Sequence, residues 1–127
     1  MRPLALTLMA VLCPTAAAQQ TICQFDSETS PFIEAVAWDA ETSKAKMTFI
    51  GDEVVGVVTS MRDHDGGTKV NIGFEGSSHE LLSDWVEVVV FPVFDSYRMI
   101  AVFFDVDDDG RHVDSIHGSH EANCATL

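Results

Sequence analysis

The sequence predicts an all-β domain, an antiparallel meander of about seven strands that forms a small barrel or a two-sheet sandwich. Segments rich in Val, Ile, Phe and Thr alternate apolar and polar residues with a period of two. Clusters of Asp, Gly, Ser and Pro separate these segments, as turn residues do between strands. No stretch after residue 18 repeats its apolar residues at helical spacing. These three observations together favour strands throughout.

Residues 1–18 have the pattern of a cleaved signal peptide. Arg2 provides the positive start, residues 4–12 (LALTLMAVL) are apolar, and Ala16-Ala17-Ala18 form the small-residue cleavage site. The apolar run is shorter than the roughly 20 residues of a membrane-spanning helix. We therefore expect residues 19–127 to form one domain in an extracytoplasmic compartment, periplasmic or secreted, with no membrane span in the mature chain.

Two cysteines, Cys23 and Cys124, follow the predicted cleavage site. In an oxidising compartment two thiols in one small domain usually form a disulfide. Metal binding is the alternative, but neither cysteine belongs to a CxxC motif or a Cys/His pair. The sequence therefore predicts a Cys23–Cys124 disulfide and a fold whose two ends meet.

The strands follow from the apolar segments and the turns between them. Asp-Gly pairs provide the positive φ angles that tight hairpins need, and they occur at residues 65–66 and 109–110. Residues 78–83 in the longest connection suit either one helical turn or a loop. The predicted strands are 32–38, 45–50, 54–61, 68–74, 86–94, 97–106 and 111–117.

The strands over 86–94 and 97–106 are apolar on both faces. One face belongs to the core, and the other needs a cover: a second sheet, the 75–85 segment, a partner chain or a ligand. Pro92 lacks a backbone donor and predicts an edge or a bulge in the first of these strands. The hairpin 85–106 is thus the candidate binding surface, with Phe91, Met99, Phe103 and Phe104 as its expected ligand-contacting or partner-contacting residues.

The most specific local motif is DVDDDG over residues 105–110, which reproduces the beginning of a calcium-binding loop. Asp105, Asp107 and Asp109 are the candidate ligands. Ile116 stands where an EF-hand loop has its bidentate Glu, and the flanking segments are predicted strands. A solvated acidic turn in an acidic protein is the competing interpretation. Calcium is the only cofactor that the sequence suggests.

Three of the five histidines lie near the end of the chain, at positions 112, 117 and 120. A zinc or copper site needs several ligands to converge. A bend at Gly118 is the condition for His117 and His120 to meet, and otherwise the histidines are scattered over the surface. The G-x-S-x-G, phosphate-loop and H-E-x-x-H motifs of enzymes are absent from the sequence. A hydrolase would need a base such as His79 or His112 near a serine.

The net charge is −13 with 7 Lys+Arg against 20 Asp+Glu, and loss of Arg2 with the signal peptide makes it −14. Such a chain repels nucleic acids and anionic lipids and favours a basic protein partner or cations. We therefore expect a non-catalytic binding module that uses the hairpin 85–106 to hold a protein partner or a small apolar ligand. A calcium-stabilised structural module and a hydrolase with an unassigned site are the alternatives.

Overall fold

The structure is a computed structural model, and it describes residues 20–26, 28–76, 84–107 and 109–127. The side chains of residues 106, 107, 111, 112, 114 and 119 are outside that description. The predicted signal peptide and the 78–83 segment therefore lie outside the described residues. The described elements are β1 (Gln20–Phe25), β2 (Ile33–Asp39), β3 (Lys44–Phe49), β4 (Asp52–His64), β5 (Gly67–Glu75), β6 (Trp85–Val93), β7 (Ser96–Asp107) and β8 (Gly110–Thr126).

The strands form a closed antiparallel barrel in which each strand pairs with the next and β8 pairs with β1. The predicted all-β meander is confirmed, and its form is the barrel rather than the sandwich. Strand β1 was not predicted, and β8 continues to Thr126 although the predicted strand ended at residue 117. These two additions provide the ladder that closes the sheet.

The predicted Cys23–Cys124 disulfide is present, and it lies within this closing ladder. Cys23 on β1 is the direct partner of Cys124 on β8, with Cα atoms 4.0 Å apart. The Thr21 and Thr126 hydroxyls form a hydrogen bond of 3.0 Å in the same ladder. The disulfide therefore joins the first and last strands of the barrel. Disulfides are typical of extracytoplasmic proteins.

Alternate residues of every strand point into the barrel, where they form one apolar cluster. Residues that pair across neighbouring strands share a face, so the inward set continues around the barrel. Its largest fully buried side chains are Phe74, Met47, Ile72, Met99, Val36, Val54, Val70, Val86, Val88, Val90 and Cys23. The barrel interior is therefore a packed core.

The turn between β4 and β5 shows why an Asp-Gly pair stands there. Asp65 and Gly66 have φ angles of 46° and 83°, and two positive φ angles are the requirement of the tight turn that matches strand twist. The turn consists of these two residues alone, between His64 and Gly67. The sequence-based prediction of a hairpin at this position is confirmed.

The sequence predicted an edge or a bulge at Pro92; the structure has no bulge there, but it leaves Pro92 without a pairing partner on the β5 side, which is a local edge. The barrel is closed, and the pairing of β6 with β7 is regular through Pro92 and Tyr97. The pairing of β5 with β6 ends at Val70 and Val90, before Pro92 is reached. The missing N–H therefore removes no bond from the β5–β6 ladder.

No helix formed by the described residues is long and apolar enough to cross a membrane.

Candidate functional site

An apolar surface covers the outside of the barrel over β6, β7 and β8, and we call it the outer face. Its side chains alternate with the buried residues of the same strands and therefore point away from the core. Most of them are half-buried. The outer face consists of Trp85, Val89, Phe91, Val93, Ile100, Val102, Phe104, Val113 and Ile116.

Cross-strand pairing makes the outer face continuous. Trp85 pairs with Phe104, and Phe104 pairs with Val113. In the next row Val102 pairs with Ile116, which is 64 % exposed. On the other side, the Trp85 ring covers Gly73 of β5 so closely that a Cβ atom there would overlap it. Apolar side chains from three strands thus form one surface.

Two charged residues lie on this side of the sheet: Arg98 pairs with Phe91 towards the β6–β7 turn, and Glu87 lies within the apolar surface. It pairs with Gly73 on one side and Val102 on the other, and Trp85 and Val89 flank it along the strand. Its side chain is half-buried, and among the described residues it has no ion-pair partner. The outer face therefore has a carboxylate near its centre with apolar groups on all sides.

The four residues predicted to contact a ligand or partner divide between the two sides of the sheet. Phe91 and Phe104 belong to the outer face, whereas Met99 and Phe103 point into the barrel and are 0 % and 6 % exposed. Because successive residues of a strand point to opposite faces, one apolar hairpin supplies both the core and the outer face. Only Phe91 and Phe104 are placed to meet a partner on the outside.

Met99 and Phe103 line a small cavity of about 10 Å³ under the β1–β2 loop, together with His117 and His120. The ring centroid of His117 lies 5.0 Å from that of Phe103 and 5.3 Å from that of Phe32, in edge-to-face contacts. Burial lowers the pKa of His120 below its ordinary value, and the nearby His117 lowers it further. The structure thus brings together two histidines that the sequence left as scattered unless the chain bends.

The predicted calcium ligands lie at the turn between β7 and β8. Asp105 is half-buried and Asp109 is exposed, whereas the side chain of Asp107 is outside the described residues. No group of three His, Cys, Asp or Glu residues suited to a metal ion occurs among the described side chains. The calcium site stays a prediction. His79 and the side chain of His112, named for a hydrolase, also lie outside the description.

The sequence did not single out Val113 and Ile116, because the apolar pattern of the last predicted strand is weak and its register depends on β7. Trp85 was placed on the apolar hairpin without a role, and its position over Gly73 follows from the pairing of β5 with β6.

The search for related proteins finds no family model, curated protein or solved structure that matches this chain.

Proposed function

We propose that this protein is an exported, non-catalytic binding module whose outer face docks a basic protein partner. The partner contributes apolar side chains and at least one Lys or Arg, which reaches Glu87. Export rests on the signal-peptide pattern of residues 1–18, and the Cys23–Cys124 disulfide is consistent with it. The observation that carries the proposal is the carboxylate of Glu87 within an apolar surface, without an ion-pair partner among the described residues.

The closed sheet supports a partner that binds through side chains. A strand at an open edge binds other chains through its free backbone groups, but in this barrel every strand pairs on both sides. The contact must therefore be made by the side chains of the outer face. Trp85, Phe91 and Phe104 are aromatic, and aromatic residues are the usual anchors of protein interfaces.

The charge of Glu87 and of the whole chain favours a basic partner. A half-buried carboxylate with apolar neighbours gains most from a cation that also excludes water. The overall charge of −13 attracts a basic protein from a distance and repels a second copy of the same chain. Charge complementarity therefore selects a basic protein over a homodimer.

The shape of the outer face favours a protein over a small apolar ligand. Small-molecule sites are concave and enclose most of the ligand, whereas the outer face lies on the convex outside of a barrel. Phe94, in the β6–β7 turn next to Val93 of the outer face, adds a further apolar side chain that is 97 % exposed.

The test uses a fluorescently labelled, amphipathic helical peptide made of Leu and Lys as the probe. A peptide of the same design made of Leu and Glu is the negatively charged control. Binding is measured by fluorescence anisotropy near physiological ionic strength, because low salt exaggerates surface charge. We expect the Lys peptide to bind and the Glu peptide not to bind. Ile116→Lys and Glu87→Gln should each weaken binding about tenfold or more, as interface anchors do.

Each variant has a matched control elsewhere on the barrel. Val55→Lys adds the same charge at an apolar residue of β4 that is 68 % exposed, and Glu41→Gln removes one carboxylate from the exposed β2–β3 loop. Both controls should bind the Lys peptide like the unchanged protein. Equal weakening by the controls and the outer-face variants would mean that only total charge matters, and the proposal would be wrong.

A further inference from the structure

The placement of His117 and His120 depends on a β-bulge in β8. Residues three apart on a regular strand point to opposite faces. In β7 the residues Met99 and Ala101 are two positions apart, but their partners on β8, His120 and His117, are three positions apart. The one extra residue in β8 places both histidines opposite buried residues whose side chains point inward. A bulge that re-aims side chains is common beside binding and catalytic sites.

The two histidines share a cavity with a thioether. Met99, which is fully buried and directly opposite His120, lines the same space of about 10 Å³ as both imidazoles. That volume corresponds to roughly one water molecule or one ion. The Phe103 ring, the loop residues Ser30, Pro31 and Phe32, and Ile33 at the start of β2 complete the walls. The cavity is therefore small, and two imidazoles and one thioether side chain line it.

This donor set selects among metal ions. Calcium and magnesium require oxygen ligands, and no Asp or Glu of the described residues lines the cavity. Structural zinc sites use four thiolate, imidazole or carboxylate ligands, and no three such residues come together among the described side chains. Imidazole suits copper, and a thioether is a soft ligand that selects its monovalent form.

We propose that Met99, His117 and His120 form a binding site for one Cu(I) ion inside the barrel, beneath the β1–β2 loop. The site is separate from the outer face, since its residues point to the opposite side of the sheet.

The test is an anaerobic competition between the full mature protein and a chromophoric Cu(I) chelator. We expect one Cu(I) ion to be taken up per chain, and the melting temperature to rise because the ion binds only the folded state. Met99→Leu conserves volume and removes the sulfur, and it should weaken Cu(I) binding about tenfold or more. His120→Gln should have an effect at least as large. His64→Gln, at an exposed histidine on β4, is the control and should bind Cu(I) normally.

Three outcomes overturn the proposal. The first is that the protein takes up no Cu(I), and the second is that Met99→Leu and His120→Gln bind it as tightly as the unchanged chain. Zn(II) binding that is tighter than Cu(I) binding, and indifferent to Met99→Leu, would contradict the soft donor set. If His120→Gln does not fold, Met99→Leu decides the question alone, because a Leu of similar volume keeps the core packed.

Discussion

Removal of the Cys23–Cys124 disulfide is expected to lower the free energy of unfolding by about 4 to 5 kcal/mol. In the chain-entropy account, a cross-link that closes a loop of about 100 residues stabilises the fold by roughly 4.7 kcal/mol, and these cysteines are 101 residues apart. The bond also holds the β1–β8 ladder, which joins the two ends of the chain. Its loss should therefore expose the amides of β1 to hydrogen exchange first.

Urea unfolding of the Cys23→Ala/Cys124→Ala variant measures this effect. Cys23 is fully buried, so its replacement also removes some packing. Reduction of the unchanged protein with dithiothreitol separates the two contributions, because reduction leaves both side chains in place. We expect reduction of the unchanged protein to cause most of the loss of unfolding free energy that the double variant shows. The stability of the double variant itself should not change with dithiothreitol. A loss below about 1 kcal/mol would contradict the role given to the bond.

Phe74→Ala is expected to destabilise the barrel by about 3 to 5 kcal/mol, the usual cost of truncating a buried Phe. Phe74 is fully buried on β5 and its ring occupies the space opposite Gly56 of β4. A Cβ atom at position 56 would overlap that ring and lie 2.5 Å from the Gly73 carbonyl oxygen. Gly56→Ala should therefore destabilise the unchanged protein, by about 1 to 3 kcal/mol.

The losses of unfolding free energy caused by Phe74→Ala and Gly56→Ala should not be additive. In the Phe74→Ala background the ring is gone, so Gly56→Ala should cost less than it does alone, although the Gly73 carbonyl prevents full recovery. Gly118→Ala is the control glycine, because a Cβ atom there meets nothing within 4 Å. We expect it to change stability by less than about 0.5 kcal/mol. Full additivity in urea unfolding would contradict the contact between Gly56 and Phe74.

Local sequence patterns were sufficient to predict the class of fold and the positions of its main strands. The strand from Gly67 to Glu75 alternates inward Val70, Ile72 and Phe74 with outward residues, and this pattern is visible in the sequence. Strand β1 escaped prediction because its inward residues include Thr21 and Cys23, which do not read as an apolar stripe. The end of β8 is similarly polar. Both strands are stabilised by their mutual pairing, which is a long-range contact.

The candidate sites depend on register, which the sequence does not display. The sequence identifies the apolar hairpin, but it does not show which side of the hairpin points inward. That knowledge is needed to assign Met99 and Phe103 to the core. The same knowledge assigns Phe91 and Phe104 to the outer face. The meeting of His117 and His120 requires the bulge in β8, which is defined only against β7. Each such bulge shifts the residues beyond it to the other face, and the β7–β8 ladder has a second register shift between Phe103 and Phe104.

The central claim is that the barrel interior stabilises the fold while the outer face serves binding. The most direct test is the free energy of unfolding of Ile116→Lys, a substitution on the outer face at a side chain that is 64 % exposed. We predict a value within about 0.5 kcal/mol of the unchanged protein, as for other surface substitutions. A loss of several kcal/mol would show that this side chain holds the fold together, and it would contradict the assignment of the outer face to a partner.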